Sequence, residues 1–216
     1  MTDHIADTTL TETGLSAEGA GPVLLIACGA LAREIIALRE ANGWDHLDLT
    51  CLPAILHNHP ERIVSAVHEA VLRNRDKYET IHVVYADCGT GGELERACAE
   101  LGVEMVRGPH CYAFFEGLDA FADHEDEIDA FYLTDFLTRQ FDAFVTRPLG
   151  LDRHPELRDV YFGNYRKLVF LAQTNDPALD LRAQGIAQHL GLIYERRPTG
   201  YGDLAQTLSR WAGEER

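Results

Sequence analysis

Ile81-His-Val-Val-Tyr-Ala-Asp-Cys-Gly-Thr-Gly-Gly-Glu-Leu-Glu-Arg-Ala-Cys-Ala-Glu-Leu101 changes its rhythm halfway along. Ile81–Ala86 is a β-branched run of strand length. Asp87–Gly92 holds three glycines and reads as a tight turn. From Glu93 the apolar residues Leu94, Ala97 and Leu101 recur at helical spacing, and Val103–Val106 then reads as another strand. A buried strand, a glycine turn, a helix and a second strand form a βαβ unit, which implies parallel strands.

The same unit can be followed outward in both directions. Upstream, Val23–Ala27 is a five-residue apolar strand that ends at Cys28-Gly29. It is followed by a helix through Leu31, Ile35 and Leu38, a strand at Asp48–Leu52, and a helix entered at Pro60 that buries Ile63, Val67, Ala70 and Val71. Downstream come strand Lys167–Ala172, helix Pro177–Leu190 with Gly191 as its stop, strand Leu192–Arg196 and a last helix from about Asp203. Residues 112–165 break the alternation. Within them, Asp135–Val145 is a predicted helix with Thr134 as N-cap, and a short helix starts at Pro155. The aromatic run from Phe131 to Phe141 reads as core. The expectation is therefore an α/β fold, a mostly parallel open sheet of about six strands with helices on both faces. Residues 1–20, rich in Thr, Gly and acids, are expected to be a disordered leader, and 21–216 a single α/β domain.

Composition narrows the functions. The 216 residues are 46% hydrophobic with 19 basic against 35 acidic side chains, a formal charge of −16. That excess repels phosphate backbones and anionic lipid, so neither nucleic acid nor a membrane surface is an expected partner. No apolar run approaches the roughly 20 residues that span a bilayer, and the acidic start does not resemble a secretory signal. Five cysteines are too few for a disulfide scaffold, which points to reduced thiols and the cytoplasm.

In open parallel sheets, ligands bind outside the carboxyl ends of the strands. The strand ends here carry Cys28, then His57 and His59, then Asp87-Cys88-Gly89-Thr90-Gly91-Gly92, then His110-Cys111, then Gln173-Thr174, then Thr199-Gly200-Tyr201-Gly202. The pattern of strand, small polar or thiol residue, turn and helix recurs at Cys28, Cys88 and Gln173, which fits a duplicated unit or the ordinary rhythm of βαβ architecture. Three readings of the thiols are open. Cys28, Cys88 and Cys111 with His110 offer soft ligands for zinc or an iron–sulfur cluster, although no CxxC or HExxH spacing is present. Cys88, between a strand and a glycine-rich helix start, could instead be a nucleophile with His57 or His110 as base. The third reading makes Cys28 and Cys88 small buried hydrophobes, the expectation also for Cys51 and Cys98. Gly89, Thr90 and Gly91, with Thr199 and Tyr201, are candidate ligand-binding residues, since glycine turns at helix starts attract anions, although Glu93 places a negative charge there. Asp87, Asp135 and His57 are the candidate catalytic acids and bases. The run His124-Glu125-Asp126-Glu127 reads as a solvated face.

Several segments together resemble the domain-of-unknown-function family 1638: Cys28-Gly-Ala-Leu, Leu52-Pro-Ala-Ile-Leu-His57, Tyr85-Ala-Asp-Cys-Gly-Thr-Gly-Gly92, Gly108-Pro-His-Cys-Tyr112, Leu133-Thr-Asp-Phe-Leu137, Gly150-Leu-Asp-Arg-His-Pro155 and Thr199-Gly-Tyr-Gly202. The resemblance runs from about Val23 to Leu208. It implies a setting beside corrinoid-dependent methyltransferases for methylamines or betaines, hence one-carbon metabolism. The expectation that follows is a metal-binding protein with a catalytic zinc–thiolate site on a small-molecule substrate. Its alternatives are an accessory protein that binds a corrinoid or its carrier protein, and a hydrolase or lyase with a cysteine nucleophile. Whether the chain forms a homo-oligomer is open.

Overall fold

The computed structural model describes residues 5–19, 21–124 and 127–213. Glu125 and Asp126, at the centre of the acidic run, fall outside them. The chain divides into two compact units, Met1–Cys111 with Leu204–Arg216, and Tyr112–Asp203, where the sequence suggests one domain. Each carries its own parallel sheet. The expected parallel α/β class is therefore observed, with seven strands among the described residues shared between two sheets in place of about six in one.

In the first unit, β1 (Val23–Cys28), β2 (Leu47–Leu52), β3 (Thr80–Val84) and β4 (Glu104–Met105) lie in the order β2-β1-β3-β4, all parallel. The helices α2 (Ala32–Asn42), α3 (Ile63–Asn74) and α4 (Glu93–Leu101) make the crossovers. Leaving β1, the chain first steps to β2 on one side, then passes back over β1 to β3 and onward to β4. With right-handed crossovers, this reversal places α2 on one face and α3 with α4 on the other. The core agrees: Leu24 and Ile26 of β1 and Val83 and Tyr85 at the end of β3 pack with Ile63, Val67 and Val71 of α3 and Leu94 and Cys98 of α4. Alternation sends Leu25 and Ala27, both fully buried, to the opposite face. The gap between β1 and β3 is the topological switch point of this sheet.

The expectation of a disordered leader does not hold for residues 7–15. Asp7–Glu12 forms α1, Leu10 is fully buried, and Leu15 exchanges backbone hydrogen bonds with Cys51 (2.9 and 2.7 Å). Arg33 ties α1 to α2, donating to the Asp7 carboxylate at 2.9 Å and to the Ile5 carbonyl at 2.7 Å. A single apolar anchor in a Thr-rich six-residue helix leaves no periodicity to detect, which is why composition alone suggests disorder here. At the other end of the chain, α10 (Gly202–Trp211) stacks Trp211 on His82 with ring centroids 4.3 Å apart, and Arg210 pairs with Glu104 at 2.7 Å.

In the second unit, β5 (Ala130–Thr134), β6 (Lys167–Ala172) and β7 (Ile193–Pro198) lie parallel in that order. β5 is the strand that sequence periodicity misses, because Phe131-Tyr132-Leu133 sits within a longer aromatic run. The run is core all the same, with Phe131 packed edge-on against Phe162. Thr134 does cap α7 (Asp135–Arg139), accepting from the Leu137 amide at 3.2 Å, but the helix gives way to a π-helical turn at Asp142–Thr146. The short helices α5 (Cys111–Glu116) and α6 (Leu118–Ala122) precede β5, and α8 (Arg158–Phe162) precedes β6. α9 (Pro177–Leu190) keeps the expected bounds: Asp176 caps the Ala178 amide at 2.8 Å, and Gly191 ends the helix at φ +74°. Arg197 gathers Glu116, Glu127 and Glu195 at 2.6–2.9 Å, one cation among three carboxylates. Among the described residues no helix is long and apolar enough to cross a membrane.

If α1 is part of the first unit's core, Leu10→Ala leaves a cavity and costs about 2–5 kcal/mol in urea unfolding at pH 7. A change within about 0.5 kcal/mol, typical of surface positions, would mean that residues 7–15 do not pack as described.

Candidate functional site

Asp87 organises the β3–α4 turn. Its Oδ1 accepts from the Thr90 hydroxyl at 2.9 Å and the Gly92 amide at 2.5 Å, and its Oδ2 accepts from the Gly91 amide at 3.1 Å. The Thr90 hydroxyl in turn accepts from Leu94 N at 3.4 Å. Burial opposes ionisation of this carboxyl, but the hydrogen bonds from Gly92, Thr90, Gly91 and Gly89 prevail and hold it below its ordinary value. The donors that the sequence offers to a phosphate at Gly89, Thr90 and Gly91 are thus largely engaged by the protein's own carboxylate. Asp87 acts as the turn's internal anion. Beside it, Asp87, Glu95, Met105, Val106, Arg107 and Gly108 line a cleft of about 200 Å³, below the size of a typical cofactor pocket.

Held by that turn, Cys88 adopts φ +48°, the only non-glycine residue in the left-handed region among the described residues. Such a conformation costs about 1–3 kcal/mol for a residue with a Cβ, and glycine would avoid it. Two backbone bonds brace it from the facing segment: the Asp87 amide to Gly108 O and the Cys88 amide to Pro109 O, each 3.0 Å. That segment leads directly into His110 and Cys111.

Three sulfurs converge here, from the end of β1, the β3–α4 turn and the start of α5. Both the thiol and the main-chain amide of Cys111 donate to the Cys88 sulfur, and the Ala86 amide does the same. The Cys111 hydrogen bond is the largest influence and, against burial and the neighbouring Asp87 charge, brings the Cys88 thiol below its ordinary value. Cys111 moves the opposite way, raised first by the same hydrogen bond and then by burial. Burial, with the nearby Cys88 adding to it, pushes Cys28 up to about 12. The cluster therefore favours one negative charge, on Cys88.

Tyr85 was not singled out by sequence reasoning. Alternation could have found it: the register sets Ala27 opposite Val84, so Cys28 and Tyr85 follow side by side. The fully buried Tyr85 hydroxyl lies against the Cys28 sulfur, although the contact falls short of a well-aligned hydrogen bond, and no nitrogen or oxygen serves it as a partner. An orphaned hydroxyl beside three thiols marks a place where a bound group would be stabilised.

His57 lies in the 3₁₀ turn Ala54–Asn58 after β2, and His110 precedes Cys111. Burial lowers both below the ordinary histidine value, and each feels charged or chargeable neighbours: His57 feels His110, and His110 feels Asp87. Both rings are therefore neutral near pH 7, as a base or a metal ligand must be. The zinc or iron–sulfur expectation on Cys28, Cys88, His110 and Cys111 meets a geometric obstacle, however. Among the described residues no group of three or more His, Cys, Asp or Glu side chains is arranged to hold a metal ion, and two of the sulfurs are already engaged with each other. Cys51 and Cys98 are buried core thiols, as expected.

The remaining candidates belong to the second unit. Asp135 is buried at the start of α7, and its carboxylate accepts from Gln173 N and Thr174 N at 3.1 Å and from the Thr174 hydroxyl at 2.5 Å. Gln173 Oε1 returns the contact by accepting from the Asp135 amide at 2.7 Å. This reciprocal clamp joins the ends of β5 and β6, and burial raises the Asp135 carboxyl despite it. The Thr199 amide and hydroxyl both donate to Ala172 O, at 3.0 and 3.4 Å, so Thr199 fastens the end of β7 to β6. Tyr201 is half-buried in the following turn. The strand-end residues thus form two groups, one at each sheet.

The family described as "Protein of unknown function (DUF1638)" matches residues 51–208, a span that includes His57, Asp87, Cys88, His110 and Cys111 and begins beyond Cys28. No curated protein and no solved structure matches the chain.

Two measurements check the electrostatics. Asp87→Ala should cost about 1–3 kcal/mol at pH 7 through lost charge-assisted hydrogen bonds. Because the folded Asp87 is the stronger acid, its contribution is present above the unfolded value near 3.9 and is lost as pH falls through the lower folded one. The gap between wild type and variant should therefore narrow below about pH 4. Cys28 has the opposite sign: its folded thiol holds its proton to about 12 against an ordinary 9.0, so wild-type stability should fall as pH rises past 9, and less steeply in Cys28→Ala.

Proposed function

Since the chain belongs to the DUF1638 family, whose description names no reaction, we propose from its site that it is a thiol-dependent enzyme in which Cys88 is the nucleophile toward an electrophilic carbon of a small-molecule substrate, as in a hydrolase or lyase. The observation that carries this reading is the left-handed backbone of Cys88 at the switch point, held under strain with its sulfur hydrogen-bonded by Cys111. Strain retained where glycine would relieve it indicates that the side chain is needed. In this reading Cys111 stabilises the charge on Cys88 before attack, while a neutral His110 or His57 supplies or accepts the proton that the reaction moves. Asp87 is a positioning residue that keeps the turn closed.

A thiolate-held zinc or iron–sulfur centre is the second reading, favoured by the convergence of Cys28, Cys88 and Cys111 beside the orphaned Tyr85 hydroxyl. The role in one-carbon metabolism, with a corrinoid or its carrier as partner, rests on the family resemblance and draws no support from the geometry.

Iodoacetamide labelling of the reduced native protein at pH 7, mapped by mass spectrometry, distinguishes the two readings when paired with elemental analysis of protein purified anaerobically. The nucleophile reading expects Cys88 to be modified at least about tenfold faster than the other four cysteines, the ratio that one pH unit of difference in thiol acidity produces. Cys88→Gly, which suits the backbone, should keep the fold and lose the fast-labelling site. A stoichiometric metal that protects Cys88 from labelling and disappears in Cys88→Gly would overturn the reading in favour of the metal centre.

A further inference from the structure

We propose that Cys88 and Cys111 are a redox pair: hydrogen peroxide oxidises Cys88, and Cys111 resolves it to an intramolecular disulfide that switches the site off. This rests on the reading of Cys88 as the site's reactive sulfur and adds its regulation.

The placement of the two residues carries the inference. Cys111 acts on the Cys88 sulfur through both its thiol and its main-chain amide, which makes the two side chains neighbours before any oxidation. The segment bearing Cys111 is tied to the turn bearing Cys88 by the paired 3.0 Å backbone bonds to Gly108 O and Pro109 O. Closing from hydrogen-bond contact to an S–S bond of about 2.05 Å is therefore a local movement. Cys28 is the rival partner, since it also lies near Cys88, but it is the last residue of β1, a strand paired on both sides by β2 and β3. Cys111 instead opens the six-residue helix α5 directly after the loop Arg107–His110, outside any strand. Cys28, Cys88 and Cys111 are partly exposed, within reach of a small oxidant, whereas Cys51 and Cys98 are buried.

The chemistry balances. The Cys88 thiolate attacks one peroxide oxygen and breaks the O–O bond, giving Cys88 sulfenic acid and hydroxide, which takes a proton from solvent. The Cys111 sulfur then attacks the sulfenic sulfur, an S–S bond forms, and the hydroxyl leaves as water with the Cys111 proton. Two thiols are oxidised and one peroxide is reduced to two waters. A dithiol reductant reverses the bond by thiol–disulfide exchange and restores the Cys88 nucleophile.

The test treats the reduced full-length protein with equimolar hydrogen peroxide, blocks remaining thiols with iodoacetamide in denaturant, and maps the peptides. The expected result is that free thiols fall from five to three per chain, with the loss in a Cys88–Cys111 disulfide within one chain, reversed by dithiothreitol. In Cys111→Ser, an isosteric change, dimedone should capture sulfenic acid at Cys88. A Cys88–Cys28 bond, a bond between chains, or five surviving thiols would overturn the pairing. Rapid iodoacetamide labelling of native Cys88 alongside any of those results confines the failure to this inference. Slow labelling would instead remove the nucleophile reading beneath it.

Discussion

The closure of the β3–α4 turn by the Asp87 carboxylate is the interaction on which the site depends. One side chain accepts from Thr90, Gly91 and Gly92 and so replaces the external anion that a glycine-rich helix start would otherwise attract. The closed turn places Cys88 at a left-handed φ and aims its sulfur at the segment that carries Cys111. Without it, the backbone at Cys88 would relax toward conformations that residues with a Cβ prefer, and the sulfur pair would separate.

The sheet supplies the second constraint. Because β1 is flanked by β2 and β3, the connections reverse direction at the β1–β3 gap, and two successive crossovers leave their strand-end loops side by side there. Residues 60 apart in sequence, Cys28 and Cys88, become neighbours through the parallel pairing of β1 with β3 and the turn that follows β3. Their thiols then divide the available charge. Burial keeps Cys28 protonated, and hydrogen bonding from Cys111 favours ionisation of Cys88 at the expense of its donor. Position alone drives chemically identical groups in opposite directions, Cys28 and Cys111 up and Cys88 down, which is how one thiol in a cluster becomes the reactive one.

Much of this was legible in the residues. The strands at Val23, Leu47, Thr80 and Lys167 and the helix Pro177–Leu190 follow from periodicity and capping, and so does the position of Cys28 at the end of β1 and of Cys88 in the turn after β3. What periodicity does not encode is pairing. Nothing in an alternation of strands and helices says that β4 and β5 belong to different sheets, and β4, only two residues long, gives little ladder to extend. The role of Asp87 was hidden for a related reason: a carboxylate before GTGG reads equally as a catalytic acid or as a turn closure, and only the hydrogen bonds decide. Asp135 is similar, a buried acid whose partners Gln173 and Thr174 lie 38 and 39 residues away.

The central claim is that the protein favours a single thiolate, on Cys88. Thiolate absorbance at 240 nm, followed from pH 5 to 10 as the difference between wild type and Cys88→Ser, measures it directly. The account expects one transition with its midpoint below the ordinary 9.0 used above for Cys28, moving upward in Cys111→Ser. A midpoint at or above that value, or one indifferent to Cys111, would contradict it.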